Sequence, residues 1–276
     1  MKSAYNYTAS LKMPVGFNLK QTLECGQCFR FTENEDGVFC GVAFNKELAF
    51  RADGDLLYIN CEQSFADEFI APYLNFDEDY DYINSILSED KTLKSAIEYA
   101  GGIRILRQEP WETLCSFIIS QNNNIKRIAG IIDRLCENFG DPIEDGRYTF
   151  PSAEKLSSLF PEDLAPIRSG FRAKYIIDAA KKVYSGEVNF KEIENADIDS
   201  AREMLMQISG VGPKVADCVL LFGFHKLEAF PKDVWIKRIM ETYYPNGLPE
   251  FAIKYGGIAQ QYLFHYIRTA ESINND

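Results

Sequence analysis

The chain has 276 residues, of which 46% are apolar and 25% are charged. This length suits one large domain or two modest ones, and the composition excludes a disordered chain. The 29 Lys and Arg residues against 41 Asp and Glu residues give a formal net charge of -12. Taken alone, that charge argues against a nucleic-acid-binding protein, because affinity for phosphate comes from clustered Lys and Arg.

The first part of the chain has the pattern of short strands joined by turns. Strand-like runs cover residues 26–32, 37–43, 48–52 and 56–61, with polar turn residues at 33–36 and 53–55. Strands that follow one another through short turns pair in antiparallel fashion. We therefore predict an N-terminal antiparallel β domain over residues 1–80.

From about residue 81 the apolar residues follow helical spacing, beginning with Ile83, Ile86 and Leu87. This spacing persists almost to the end of the chain. A strand-rich part followed by a helix-rich part indicates an α+β fold rather than an alternating α/β fold. The second predicted unit is therefore a mostly helical region over residues 81–276.

Neither a membrane anchor nor a metal site is indicated. Residues 1–7 lack the apolar run of a signal peptide, and the longest strongly apolar stretch, 218–224, is far shorter than the roughly 20 residues that span a bilayer. Seven cysteines, an odd number spread along the chain, favour a reducing compartment. Cys25 and Cys28 have the spacing of a metal or redox pair, but zinc would need two further ligands and a thioredoxin-like site needs a βαβ unit. We expect these cysteines to be structural or incidental.

The charges are unevenly distributed. Residues 1–104 carry 9 basic and 17 acidic side chains, whereas residues 105–276 carry 20 and 24. Within the second part, residues 166–182 carry five basic side chains and one acidic side chain, Asp178. Such a run is either a solvated helix face or a surface that binds an anion.

The most informative segment, residues 205–221, consists of two apolar helical stretches separated by Gly210-Val211-Gly212. Glycines permit a positive φ and a close approach of another backbone. The amide groups of such a turn and of the following helix start suit a phosphate oxygen. An ordinary helix-helix connection is the alternative, but flanking apolar helices and the lysine at Lys214 favour a helix-hairpin-helix motif.

Several segments together resemble the 8-oxoguanine DNA glycosylases of the helix-hairpin-helix (HhH-GPD) superfamily. The resemblance runs from about residue 20 to residue 268. Besides the hairpin, it rests on Gly-Gln-Cys-Phe-Arg at 26–30, Ser-Gln-Asn-Asn-Asn at 120–124, Gly-Phe-Arg-Ala-Lys at 170–174, Phe-Pro-Lys-Asp-Val-Trp at 230–235 and Ala-Gln-Gln-Tyr-Leu-Phe at 259–264. The resemblance implies an active site in a cleft, to which Gly26 is contributed by the N-terminal domain.

The resemblance assigns catalysis to Lys214 and Asp233. Lys214 stands where the family has its nucleophile, an amine that attacks the sugar C1′, displaces the base and forms a Schiff base that permits β-elimination. Asp233 stands where the family has a carboxylate that stabilises positive charge on the sugar and assists proton transfer. The alternatives are a solvated Lys214 paired with Asp217 and a helix N-cap at Asp233, and the cap is compatible with catalysis.

Recognition of the flipped base is implied for four residues. The Gly26 carbonyl would accept the hydrogen on N7 that 8-oxoguanine has and guanine lacks. Phe264 and Cys218 would sandwich the base, and Gln260 would read its Watson-Crick edge. From the residues alone, Cys218 and Phe264 are better explained as core side chains of apolar helices.

Contacts with the rest of the DNA are implied for the remaining matches. Asn122 would fill the vacated space, Arg127 and Arg172 would read the estranged cytosine, and Phe171 would wedge into the stack. The hairpin, through Gly210, Gly212 and Val215, would bind phosphate. Trp235 departs from the animal relatives, which have a phosphate-contacting histidine at that position.

The implied function is base excision repair. The enzyme would flip 8-oxoguanine out of duplex DNA, remove it opposite cytosine through a lysine Schiff base, and cleave the abasic site by its lyase activity. The alternatives are a monofunctional alkylpurine glycosylase and a non-catalytic DNA-binding protein. We expect a cytoplasmic monomer, on the nucleoid in a prokaryote or in the nucleus of a eukaryote, with no cofactor apart from a monovalent or divalent ion at the hairpin carbonyls.

Overall fold

The computed structural model describes residues 5–143 and 146–273, with side chains described as far as residue 267. Its N-terminal part contains a five-stranded antiparallel sheet of order β1-β5-β4-β3-β2. The strands are β1 (Ala9–Lys12), β2 (Thr32–Glu33), β3 (Phe39–Ala43), β4 (Lys46–Asp53) and β5 (Leu56–Ile59). All of them precede the long helices, which confirms the predicted α+β class.

The central hairpin of the sheet shows why this part of the chain forms strands. Phe44 and Asn45 connect β3 to β4 with φ values of 52° and 57°, the positive pair that a tight two-residue turn requires. Leu48 and Phe50 alternate along β4 and are fully buried. Because successive side chains of a strand point to opposite faces, Leu48 and Phe50 lie on the same face of the sheet, and that face packs into a core.

The segment predicted as the first strand is mostly a loop. Helix α1 (Leu19–Glu24) begins after the Asn18 cap, and only Thr32 and Glu33 pair with β3. The strand prediction over 26–32 is therefore wrong. Gly26 has a φ of +88°, which no strand accommodates, and its neighbours turn their side chains to the chain's interior instead of to two faces of a sheet.

The remainder of the described chain is helical. Its helices are α2 (Gln63–Phe65), α3 (Ala71–Tyr73), α4 (Tyr80–Leu87), α5 (Lys91–Ala100), α6 (Pro110–Ser120), α7 (Ile125–Phe139), α8 (Ala153–Ser157), α9 (Ala173–Ser185), α10 (Phe190–Asn195), α11 (Ile198–Met206), α12 (Pro213–Gly223), α13 (Val234–Tyr243), α14 (Glu250–Ile253) and α15 (Gly256–Ile273). A π-helical turn joins α2 to α3, and 3₁₀ turns precede α9. Within the described ranges, no helix has the length and apolarity to span a membrane.

Helices α6 and α12 form the centre of the larger core. Every residue from Val215 to Phe222 is buried, and the Phe117 and Phe222 rings stack with centroids 5.3 Å apart. Helix α12 is buried on all sides from Val215 to Phe222 because other elements surround it, and its one carboxylate in that stretch, Asp217, pairs with Arg202. The residue at its start, Lys214, is therefore held on a rigid support.

Candidate active site

The hairpin between α11 and α12 has the predicted glycine geometry. Gly210 has a φ of +80°, and a Cβ atom there would lie 2.4 Å from the Tyr175 ring, so only glycine fits. A Cβ atom at Gly212 would meet nothing within 4 Å. No contact among the described residues therefore requires a glycine at position 212. The missing side chain leaves the backbone there open to an external group.

The hairpin amides are only partly free, which corrects the expectation of an unpaired turn. The Ser209 amide donates to the Asp178 carboxylate at 2.7 Å, and the Val211 amide donates to the Ile208 carbonyl at 3.0 Å. The amides of Gly210 and Gly212 have no acceptor among the described residues. These two amides, together with those of Lys214 and Val215 on the first turn of α12, can bind a phosphate oxygen.

Lys214 is half-buried at the start of α12 and is not paired with Asp217. The Asp217 carboxylate instead accepts from Arg202 at 2.7 Å. The Lys214 ammonium lies 5.3 Å from the centroid of the Phe117 ring, and its charge acts on the Cys218 thiol one turn along α12. Burial raises the pKa of Cys218 although Lys214 opposes the shift, so the thiol remains protonated beside the amine.

Asp233 is the N-cap of α13, as the sequence predicts. Its Oδ1 atom accepts from the Ile236 amide at 2.8 Å. A cap bond holds the carboxylate in one place while the second oxygen stays available for another partner. Asp233 is therefore a fixed negative charge.

One pocket of about 350 Å³ brings together both catalytic candidates and all four predicted base-contacting residues. These six lining residues are Gly26, Lys214, Cys218, Asp233, Gln260 and Phe264. The rest of the wall comes from Cys25, Phe117, Phe222, Pro231 and Gln261. An apolar pocket with a few convergent polar groups is the usual form of a ligand site.

Gln27 holds the loop that carries Gly26, a role that sequence reasoning missed. It is 1% exposed. Its Nε2 donates to the carbonyls of Thr22 and Arg104, both at 2.8 Å, while its Oε1 accepts from the Leu106 amide at 2.9 Å. The sequence did contain a signal for this role, because Gln27 lies inside the Gly-Gln-Cys-Phe-Arg segment at 26–30 that carries part of the family resemblance.

Phe29 and Arg30 fasten the same loop to α6. The Phe29 ring meets the Phe117 ring edge-on at 5.9 Å, and Arg30 pairs with the largely buried Glu112 at 3.2 Å. Burial raises the pKa of Glu112 although Arg30 opposes the shift. The sheet half and the helical half thus meet beside the pocket, with Gly26 on its wall.

A larger cleft of about 1700 Å³ adjoins the pocket and shares Gly26, Lys214, Asp233 and Phe264 with it. It adds three further predicted residues, Asn122, Gly212 and Val215. Asn122 is exposed and has a φ of 48°, and Asn124 caps α7 by accepting from the Arg127 amide at 2.9 Å. The three consecutive asparagines thus form a tight, capped turn on the cleft wall.

The other four predicted DNA contacts, Arg127, Phe171, Arg172 and Gly210, do not line the cleft. They form its rim. Phe171 is 50% exposed, stacks edge-on against Tyr175 at 5.9 Å, and lies beneath the Arg172 guanidinium. Because Tyr175 also packs against Gly210, the rim connects the hairpin to the asparagine turn.

Arg172 is 3% exposed and donates to backbone carbonyls rather than facing outward. Its guanidinium bonds the carbonyls of Gln121, Asn122 and Ser169, the last two at 3.1 Å. Burial, and next the charge of Arg127, lower the pKa of Arg172. Arg127 itself is exposed on the first turn of α7.

Lys232, Trp235 and Lys237 also line the cleft, and the two lysines were missed as DNA-contact candidates. The charge count singled out residues 166–182 and passed over the start of α13. Residues 232–238 contain Lys232, Lys237 and Arg238 against Asp233 alone. A count of charged side chains over residues 232–238 would have identified both lysines.

All seven cysteines have free thiols. Burial raises the pKa of Cys25 to about 12 and holds that of Cys28 well above its ordinary value. Across residues 5–143 and 146–273, His, Cys, Asp and Glu side chains form no group of three or more that could hold a metal ion. Cys25 and Cys28 are therefore two buried free thiols.

Comparison with known proteins gives two family matches that follow one another along the chain. Residues 10–114 match the 8-oxoguanine DNA glycosylase N-terminal domain. Residues 115–247 match the HhH-GPD superfamily of base excision DNA repair proteins.

Individual relatives agree with these matches. A probable N-glycosylase/DNA lyase of Methanothermobacter thermautotrophicus is 32% identical over 94% of this chain and 96% of its own. The N-glycosylase/DNA lyase of Saccharomyces cerevisiae is 44% identical over 57% of this chain, a match that spans 47% of the yeast protein's length.

A solved structure agrees as well. The Clostridium acetobutylicum 8-oxoguanine glycosylase/lyase, in complex with double-stranded DNA containing cytosine opposite 8-oxoG, is 37% identical with a TM-score of 0.86. The similarity covers 93% of both chains. The chain described here therefore belongs to the HhH-GPD superfamily of base excision DNA repair proteins, among the 8-oxoguanine DNA glycosylases.

Proposed function

We propose that this protein excises 8-oxoguanine opposite cytosine from duplex DNA and cleaves the resulting abasic site. The observation that carries the proposal is the pocket shared by Lys214, Asp233, Gly26, Cys218, Gln260 and Phe264. The lining supports the proposal because it offers an amine, a capped carboxylate, a side-chain amide, the backbone of a positive-φ glycine, and the thiol and ring of Cys218 and Phe264. That set matches what the reaction requires of its active site.

Binding begins with extrusion of the damaged nucleotide, which costs a few kcal/mol of unstacking and unpairing. The cleft receives the duplex, and the pocket receives the base between Cys218 and Phe264. Asn122, on the cleft wall, occupies the space that the nucleotide leaves, and Phe171, at the rim, wedges into the base stack. Gly210 and Gly212 donate their free amides to phosphate.

The chemistry follows from the two catalytic side chains. The uncharged Lys214 amine attacks the sugar C1′, the bond to the base breaks, and the base leaves with the bonding electron pair and acquires a proton. Asp233 stabilises the positive charge that develops on the sugar. The nitrogen lone pair then expels the ring oxygen O4′, so that the C1′–O4′ bond breaks, O4′ takes up a proton and a Schiff base forms between the nitrogen and C1′. The Schiff base makes the C2′ proton acidic, and loss of that proton breaks the C3′–O bond and releases the 3′ phosphate.

This chemistry needs no cofactor, since Lys214 supplies the nucleophile and Asp233 the counter-charge. We propose that the protein acts as a monomer, because one chain supplies both catalytic groups. As a DNA repair enzyme it would work where the genome lies, on the nucleoid or in the nucleus.

Borohydride trapping tests the mechanism, because reduction of the Schiff base makes a stable protein-DNA adduct. With an 8-oxoguanine:cytosine duplex, we expect an adduct from the wild type and none from Lys214→Gln. The matched control is Lys155→Gln, since Lys155 pairs with Asp141 on the surface and lines neither the pocket nor the cleft.

The outcomes separate the alternatives. A monofunctional alkylpurine glycosylase would release base without any adduct, and a non-catalytic DNA-binding protein would release no base. An undiminished adduct from Lys214→Gln would show that another amine is the nucleophile.

A further inference from the structure

Two consecutive glutamines of α15 line the base pocket, although neighbouring residues on a helix point about 100° apart. Gln260 is 4% exposed and Gln261 is 5% exposed. The flanking Ala259, Tyr262 and Leu263 are fully buried. A second buried amide in this apolar surrounding is costly unless its hydrogen bonds are made.

Only the Nε2 end of the Gln261 amide has a hydrogen bond among the described residues. Its Nε2 donates to Gln260 Oε1 at 2.9 Å, whereas its own Oε1 is hidden from water and has no partner among the described residues. A buried acceptor that neither water nor protein satisfies gains most when a donor arrives. Gln261 is also the polar lining side chain to which the proposed chemistry assigns no task.

The Watson-Crick edge of a guanine-type base supplies a matching set of groups. It carries an acceptor at O6, a donor at N1 and a donor at the 2-amino group. One amide can serve only two of them, through its NH₂ donor and its carbonyl acceptor. If Gln260 pairs with O6 and N1, the 2-amino group still lacks an acceptor.

We infer that Gln261 is a specificity-determining residue whose Oε1 accepts a hydrogen bond from the 2-amino group of the flipped base, a role that rests on the proposed function. Gln260 then offers a donor to O6 and an acceptor to N1, and Gln261 offers an acceptor to the 2-amino group. Together they contact the whole Watson-Crick edge. A base without the 2-amino group leaves the buried Oε1 unpaired. The pocket therefore selects guanine-type over other 8-oxopurines through two amides.

A substrate that lacks the 2-amino group tests the inferred role of Gln261 directly. The two substrates are duplexes carrying 8-oxoguanine or 8-oxohypoxanthine, which lacks only the 2-amino group, opposite cytosine. For the wild type we expect single-turnover excision of 8-oxoguanine to be faster by about 10-fold or more, the cost of an unpaired buried acceptor. Equal rates in the wild type would overturn the inference without any variant being made.

Gln261→Met keeps the length and volume of the side chain and removes the acceptor. We expect it to slow excision of 8-oxoguanine while excision of 8-oxohypoxanthine is nearly unchanged, so that the ratio falls to about 1 to 3. Gln63→Met is the control, because Gln63 bonds Ser10 and Asp67 away from the pocket and its loss leaves the ratio as in the wild type.

A merely structural role for Gln261 would lower both rates together and keep the ratio, and that result would also overturn the inference. Failure of the proposed function is separate from both outcomes. It would appear as a wild-type protein that forms no borohydride adduct, whatever the base.

Discussion

Arg127 and Arg172 lie close together at the cleft rim, where burial and the charge of Arg127 lower the pKa of Arg172. Their surroundings differ. Arg127 is exposed, whereas Arg172 is buried and donates to the carbonyls of Gln121 and Asn122. To read a cytosine, Arg172 would first have to leave those carbonyls. Arg127 is exposed and can contact a cytosine without first breaking such bonds.

This difference predicts distinct effects of two substitutions. We expect Arg127→Ala to flatten the preference for cytosine opposite the lesion, since a bidentate contact with a base contributes about 1–3 kcal/mol of discrimination. Arg172→Ala should lower excision opposite all four bases, because it releases the asparagine turn. Values of kcat/KM against the four opposing bases decide between them, and unchanged ratios for Arg127→Ala would rule out its role.

At the scale of elements, helix α9 braces the hairpin. Asp178 accepts from the Ser209 amide at 2.7 Å, and Lys182 both pairs with Asp178 at 3.3 Å and donates to the Gln207 carbonyl at 2.6 Å. Burial opposes ionisation of Asp178, but these hydrogen bonds outweigh it and lower its pKa. The basic run 166–182 is thus partly a structural support for the hairpin, not only an anion-binding surface.

Asp178→Asn should therefore weaken binding to an abasic-site duplex several-fold and lower the free energy of unfolding by about 1 kcal/mol at pH 7. Because folding lowers the pKa of Asp178, its contribution is complete above the unfolded value of about 4 and disappears as the pH falls through the folded value. Urea unfolding at pH 7 and pH 3 measures this change.

Asp141→Asn, which removes an 80%-exposed partner of Lys155, is the control for loss of a surface charge. A stability difference between Asp178→Asn and the wild type that stays the same at pH 3 would refute the ionic brace.

At the scale of the whole molecule, the formal net charge of -12 does not describe the cleft, because it does not record where the charges lie. The first 104 residues hold 17 of the 41 acidic side chains and only 9 of the 29 basic ones. The cleft wall carries Lys214, Lys232 and Lys237, and the hairpin amides add donors that the formal charge does not count. We expect undamaged DNA to be held mainly by electrostatic contacts with phosphate, which the net negative charge of the chain weakens.

We accordingly expect weak binding of undamaged duplex that falls steeply with salt, and much tighter binding of a duplex with an abasic-site analogue. Lys237→Gln should reduce the slope of log K against log salt by about one, the loss of one phosphate contact. Fluorescence anisotropy at several salt concentrations gives the slopes. An identical slope for Lys237→Gln would remove Lys237 from the DNA interface, and Lys155→Gln should behave as the wild type.

Residue patterns alone predict the fold class and the hairpin, because helical periodicity and glycine constraints are local in sequence. The six pocket residues are predicted from the resemblance to the glycosylase family, whose matched segments are also local. Residue patterns also predict the Asp233 cap, which needs only its own helix start. They fail over residues 26–32, where the backbone is set by Gln27 bonding to Thr22, Arg104 and Leu106. A side chain that bonds a backbone some 80 positions away leaves no local pattern.

Only the folded chain decides which polar groups are already occupied. It shows Asp217 bonded to Arg202 instead of Lys214, Arg172 bonded to the asparagine turn, and Gln261 with one amide end unpaired. Each depends on contacts between elements whose relative placement is set by packing of the common core. Residue types thus identify the chemistry that is present, and tertiary contacts determine which of those groups remain available to the substrate.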